Sequence, residues 1–274
     1  QTLRLVSWAL PANLMPQLEG GPLRMMTQNT FRPPFYLDKD GKLVPGICTK
    51  WEVSPDGLKY TLHLDPNAKF SDGSKVTAGD LKFSWEYLTY PETKAWSSSY
   101  VAGPISGYQD VVDGKTKDMK GLVAKDDQTL EVTLDKPYTP FAKAIATYIA
   151  GVVKKDNVIQ GGATWDQKPV CCGPYQVDSW KMDTGEITWV QNKYWWGDKP
   201  AITKVTYRYI KDANTQSIMY DNNEMDVDPP SDLLAGQMKK GPRAKELNLI
   251  PYGGSYFFTL RTQKKPMEDV NVRR

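Results

Sequence analysis

The chain has 274 residues, enough for a substantial core in one large or two modest domains. Its 40% hydrophobic and 24% charged residues are the mix of an ordinary globular protein. With 35 Lys and Arg against 32 Asp and Glu, the formal charge of +3 leaves no footprint for nucleic acid, and no apolar run approaches the roughly 18 residues of a membrane span.

Gln1 leads directly into TLRLVSWAL, as a processed export signal or a trimmed chain would leave it. That stretch reads as a short strand with Leu3, Leu5 and Ser7 on one face, ended by Pro11. The chain is then irregular to Pro45, apart from a short helix around Leu23–Asn29 and a hairpin turn at DKDG, where Gly41 can take positive φ. WEVSPDGLKYTLHLDPNAKFSDG reads as strand, turn, strand, turn. Trp51 and Val53 alternate on the first strand, and Tyr60, Leu62 and Leu64 on the second. VTAGDLKFSWEYLTY predicts a helix with Thr77 as N-cap and Asp80 completing a capping box. Leu81, Trp85 and Leu88 form one apolar face, Phe83, Tyr87 and Tyr90 another, and Pro91 stops the helix.

Residues 92–120 read as polar, glycine-broken loop. GLVAKDDQTLEVTLDKP is a hairpin with Leu130, Val132 and Leu134 in phase, and Pro137 or Pro140 opens a helix bearing Phe141, Ile145 and Tyr148. Residues 151–170 again look irregular. From Tyr175 two strands flank a turn at 183–185. An aromatic knot, Tyr194-Trp195-Trp196, precedes a strand with Val205, Tyr207 and Tyr209 alternating. Asp212 caps a helix containing Ile218 and Met219, and GPRAKELNLIPYGGSYFFTLRT predicts two more strands about Gly253-Gly254. Many strands and few helices give a mixed α/β or α+β class rather than a helical bundle. KKPMEDVNVRR stops without a cap or a polar tail, as if Val270 and Val272 began a further element of a longer protein.

Catalytic signatures are missing from the sequence. It contains no glycine-rich dinucleotide or phosphate loop, no HExxH and no GxSxG. Its one histidine, His63, sits in YTLHL on the face opposite Leu62 and Leu64, where a surface role is expected. DKDG lacks the glutamate that a calcium loop needs at its twelfth position, and DNNEMDVD at 221–228 reads as a helix end entering a loop. Cys48, Cys171 and Cys172 cannot make a CxxC metal site. One long-range disulfide with a spare thiol and three buried free thiols both fit.

The run GKLVPGICTKWEVSPDGLKYTLHLDPNAKFSDGSKVTAGDLKFSWEYL resembles the signature region of the family 5 extracellular solute-binding proteins, the peptide and nickel receptors of bacterial ABC importers. Four further blocks are similar to that family in the same order: GLVAKDDQTLEVTLDKPYTPF, CGPYQVDSW, NKYWWGDKPAITKVTYRYIKDANTQSIMYDNNEMDV and SYFFTLRTQKKPMEDVNVRR. The resemblance spans roughly residues 40–274. It implies a class II periplasmic-binding-protein-like fold in which two lobes close on a ligand. By analogy, residues 1–45 with 170–260 form the core subdomain of the first lobe. Residues 46–169 form an extra subdomain, and 261–274 begin the crossover to a second lobe outside this chain.

The resemblance implies a non-enzymatic receptor of an ABC importer that takes oligopeptides, with oligosaccharides or nickel chelates as alternatives. A hydrolase on an unrelated mixed fold is the alternative of another class. It further implies an extracytoplasmic location, with or without a lipid anchor. The expected partners are a small polar ligand and a membrane permease, with no cofactor, no metal, no nucleic acid and no membrane span in the chain itself. Ligand-lining positions implied by the family are Trp8, Phe31, Arg32, Trp96, Cys172, Gly173 and Tyr175. The sequence departs from the family at ALPANLMPQ, where leucine–aspartate–proline is common, and at Cys172, where threonine or serine usually precedes Gly-Pro-Tyr. An oxidising compartment would permit a Cys48–Cys171 or Cys48–Cys172 bridge.

Overall fold

The computed structural model describes residues 1–9, 12–18, 23–230, 232–249 and 258–273. Contacts divide the chain into two units, Gln1–Pro229 and Pro230–Arg274. The first unit opens with β1 (Thr2–Ser7), helix α1 (Arg24–Thr30) and a hairpin of β2 (Phe35–Leu37) and β3 (Leu43–Pro45). Gly41 turns that hairpin at φ +74°, and the Asp38 carboxylate accepts the N–H groups of Asp40 and Lys42.

Strands β4 (Cys48–Val53) and β5 (Lys59–Leu64) follow, then helix α2 (Ala78–Thr89). The predicted capping box is present. Thr77 Oγ1 accepts the Asp80 N–H at 3.1 Å, and Asp80 Oδ2 accepts the Thr77 N–H at 3.1 Å. Asp80 also reaches across the fold, its Oδ1 accepting the Lys155 N–H at 3.1 Å. Thr77→Ala is therefore expected to cost about 1 kcal/mol. Asp80→Ala should cost more, because it frees donors on two elements. Urea midpoints at unchanged slope would check both, and equal losses would contradict the second role.

Two short helices, α3 (Ser98–Val101) and α4 (Tyr108–Val112), lie in the stretch expected to be loop. They are anchored by Val101, Ile105 and Val111, all buried, and their four or five residues are too few to display a helical period. The hairpin β6 (Leu122–Asp126) and β7 (Thr129–Thr133) then completes an antiparallel sheet in the order β4-β5-β7-β6. Leu62 pairs with Leu130, and Leu122 with Val132. All four side chains are buried under Leu81, Trp85 and Leu88 of α2 in one core.

The helix expected after Pro137 or Pro140 is a single turn, α5 (Phe141–Ala144), with Pro140 as its N-cap; Tyr148 belongs to a separate 3₁₀ turn, Tyr148–Ala150. The region 151–170, expected to be irregular, holds α6 (Lys155–Gly161) and a 3₁₀ segment, Gly162–Gln167. Only Val158 of α6 is buried, so its sequence carries no apolar face to read.

Strands β8 (Tyr175–Lys181), β9 (Glu186–Gln191) and β10 (Lys204–Tyr209) form a second four-stranded sheet, ordered β1-β10-β9-β8. Strand β1 pairs parallel to β10, with Leu5 opposite Tyr207, while the other pairs are antiparallel. A second core gathers Leu5, Leu23, Met26, Tyr175, Ile187, Trp189, Val205 and Tyr207. The expectation that one face of β1 is buried holds for Leu5 and Ser7, but Val6 is buried too, against Met219 and Met225. Met219 lies on α7 (Ala213–Asp221), whose predicted N-cap Asp212 accepts the Thr215 N–H at 2.8 Å. Asp226 lies in the loop that follows α7. It pairs with Arg4 at 2.7 Å, and that hydrogen bond holds its carboxyl below the usual aspartate range.

The second unit contains α8 (Asp232–Met238), a 3₁₀ turn at Pro242–Lys245 and α9 (Val270–Arg273). Residues 241–249 and 258–262, expected as strands, are not strands; the Gly253-Gly254 turn lies outside the described residues. A strand exists through its ladder, and no described strand pairs with either segment.

Candidate functional site

Helix α1 is capped at its C-terminus by Phe31, whose N–H bonds to Thr27 O. The chain that leaves it is gripped by the turn before β8. Thr30 O accepts both the Cys172 N–H at 3.1 Å and the Gly173 N–H at 2.8 Å. The Arg32 N–H points at Cys172 Sγ at 3.3 Å, and Arg32 O accepts the Val152 N–H at 3.1 Å. Gly173 is dictated by this approach, since a Cβ there would stand 2.1 Å from Asn29 O.

Asn192 locks the other side of the turn. Its side-chain amide donates to Gly173 O at 2.9 Å, its backbone N–H donates to Pro174 O at 2.8 Å, and its Oδ1 accepts the Tyr194 N–H at 2.9 Å. The Gly-Pro-Tyr and Asn-Lys-Tyr-Trp-Trp blocks are thus one interlocked turn, which places Trp195 beside the start of the post-α1 chain.

Four of the seven implied ligand positions, Phe31, Arg32, Cys172 and Gly173, therefore meet at this junction, and their surroundings differ. Phe31 is buried edge-on to Trp165, with ring centroids 6.0 Å apart. Tyr175 is buried, and its hydroxyl donates to Ile202 O at 2.9 Å. Trp8 and Trp96 are each 63% exposed. Arg32 is half-buried, its guanidinium 3.8 Å from the Tyr36 ring centroid and 5.0 Å from that of Trp195. Burial lowers the Arg32 pKa from its ordinary value and raises that of Tyr36.

Tyr36 and Trp195 were not among the expected positions. Trp195 sat within the aromatic knot, which marked it as notable without assigning it a partner. Tyr36 gave no signal, because Pro33-Pro34 breaks any helical or strand spacing between it and Arg32.

The cysteines settle one open alternative. Cys48, Cys171 and Cys172 are free and buried, so neither expected bridge is formed. Burial raises all three thiols, Cys171 and Cys172 to about 12. Cys172 Sγ instead donates to Val152 O at 3.4 Å, which makes it part of the junction's packing. His63 lies on the outer face of β5, 3.3 Å from Glu52. A separate cavity of about 640 Å³, lined by Phe83, Tyr87, Tyr90, Lys155 and Val158, contains none of the seven positions.

Residues 42–274 match the family model described as bacterial extracellular solute-binding proteins, family 5 Middle. The periplasmic oligopeptide-binding protein OppA of Salmonella typhimurium is 33% identical over 265 residues, 94% of this chain and 48% of the relative. Among solved structures, Haemophilus influenzae OppA in complex with RPPGFSPFR superposes with a TM-score of 0.85 at 27% identity, covering 100% of this chain and 54% of that one. Listeria monocytogenes OppA bound to peptide gives a TM-score of 0.80 at 28% identity, covering 88% and 49%. The chain spans about half the length of these proteins. The five sequence blocks, the mixed sheets and these likenesses agree: the chain belongs to the family 5 bacterial extracellular solute-binding proteins.

Proposed function

We propose that the protein carrying this chain is the substrate-binding receptor of an ABC importer, working outside the cytoplasm and capturing oligopeptides between two lobes. The likeness to two OppA structures that hold peptides carries this reading. Oligosaccharide and nickel-chelate alternatives are not favoured, because the relatives described above are named for peptides. In this reading residues 1–45 and 170–260 make the core subdomain of the first lobe, and 46–169 make the extra one. The separate sheets, β1-β10-β9-β8 and β4-β5-β7-β6, support that division. Residues 261–274 lead toward the second lobe, and a permease receives the loaded receptor.

The mechanism proposed is binding without bond chemistry. The α1–β8 junction fixes backbone and side chains in advance, so little ordering entropy is left to lose when a ligand arrives. Exposed Trp8 and Trp96 offer aromatic area with little directional demand, as suits peptides of varied sequence. Closure of a second lobe then excludes water and couples binding to hinge motion.

Native mass spectrometry of the full-length protein, purified without denaturation, is expected to reveal bound peptides. Calorimetry against peptide and oligosaccharide panels should give binding to peptides alone. Saturable binding of the oligosaccharides with none of the peptides would overturn the reading.

A further inference from the structure

Arg32 stands out among the charged side chains of the junction because nothing answers its charge. Among the described residues no carboxylate pairs with it and none of its side-chain nitrogens has a hydrogen-bond acceptor. Its Nε is sealed from solvent without a partner. The only groups set against the charge among the described residues are the ring faces of Tyr36 and Trp195, at 3.8 and 5.0 Å. Its own backbone is fixed on both sides, by Cys172 Sγ and by the Val152 N–H.

A half-buried guanidinium with no anion beside it gains when a partner anion arrives. Its planar fork matches one partner best, a carboxylate taken through two parallel N–H···O bonds. The neighbouring charged groups do not fill that role. Lys193 is itself a cation, over the Tyr194 ring at 4.7 Å, and the Asp80 carboxylate is committed to Thr77 and Lys155.

We propose that Arg32, held between Tyr36 and Trp195, is a specificity-determining residue that receives a carboxylate of the bound ligand. The inference rests on the peptide reading and deepens it: the preferred ligands are peptides that present a free carboxylate to the junction. That carboxylate is either the C-terminus or an Asp or Glu side chain, two sources with one chemistry. The preference appears as selectivity between acid and neutral forms of otherwise identical peptides.

The test uses the full-length protein, immobilised, and two random tripeptide pools mixed in equal amounts, one with free C-termini and one amidated. Retained peptides are identified by mass spectrometry. The natural sequence is expected to enrich at least tenfold either free over amidated C-termini, or Asp and Glu over Asn and Gln. Which ratio departs from one identifies the source of the carboxylate. Arg32→Gln is expected to bring that ratio to about one while still retaining peptides. Arg32→Lys, which keeps the charge and loses the fork, should fall between.

Thermal midpoints of both variants show whether they remain folded. If Arg32→Gln does not fold, the intermediate ratio of Arg32→Lys decides, and a ratio equal to that of the natural sequence overturns the proposal. Peptide retention by the natural sequence with no acid preference also overturns it, leaving the peptide reading intact. Equal weakening of every peptide in Arg32→Gln, with the ratio preserved, overturns it as well. Retention of neither pool by the natural sequence overturns the peptide reading and this inference with it.

Discussion

Trp85→Ala is expected to destabilise the protein by about 3–5 kcal/mol, among the largest losses available to one substitution. Trp85 is 0% exposed on α2, and its ring meets Phe141 edge-on with centroids 6.3 Å apart. It joins the helix to the sheet core of Leu62, Leu130 and Val132. Truncation removes that apolar surface and opens a cavity whose walls are strands fixed by their ladders, so little collapse can fill it. A second loss follows from the indole N–H, which donates to Ala150 O at 3.3 Å and would leave that carbonyl unanswered. Trp85→Phe separates the two, retaining much of the ring while losing the donor, and should cost less than half as much. Urea unfolding with both midpoint and slope measured would check the pair. A loss below about 1 kcal/mol in Trp85→Ala would refute the rigid-wall argument.

Gly173→Ala is expected to cost about 2–3 kcal/mol and to weaken ligand binding by the full-length protein. The added methyl would lie 2.1 Å from Asn29 O and 2.5 Å from Asn29 C. Both are backbone atoms, so no side chain can swing aside. The turn must retreat, and three interactions loosen with it: the Gly173 and Cys172 N–H bonds to Thr30 O, and the Asn192 bond to Gly173 O. Because the same turn holds Arg32 through Cys172, the lesion reaches the proposed ligand residue. Gly236→Ala is the matching control. Gly236 lies within α8 with nothing within 4 Å of the new Cβ, so the substitution should be neutral or stabilise by up to about 1 kcal/mol. Similar outcomes for the two would show that crowding at Gly173 is not the cause.

The hairpins and α2 were legible because their signals are local. Tyr60, Leu62 and Leu64 alternate, Thr77 and Asp80 sit three apart, and each pattern is complete within a few residues. Helices α3, α4 and α6 were not legible, since their lengths of four, five and seven residues give no repeat to detect. They form because Val101, Val111 and Val158 each find a buried place supplied by distant chain. The candidate site divides along the same line. The Gly-Pro-Tyr block was visible as a block, but its reason, the Asn29 carbonyl at a missing Cβ, is a contact across the fold. Arg32 is marked in the sequence by the family resemblance alone. Its setting between Tyr36 and Trp195 depends on a fold that brings position 195 to position 32. The thiols were undecidable in sequence because pairing is geometry, and geometry buries all three apart from any bond.

The parallel pairing of β1 with β10, Thr2 opposite Lys204, has a kinetic consequence. Strand β1 meets its neighbour only across nearly the whole length of the first unit, whereas β4 to β7 can close among themselves from nearby chain. Loop-closure entropy therefore delays the β1 sheet and leaves a nascent chain half-organised for longer. In refolding, amide protection is therefore expected to appear in the β4-β5-β7-β6 sheet before it appears along the β1–β10 seam.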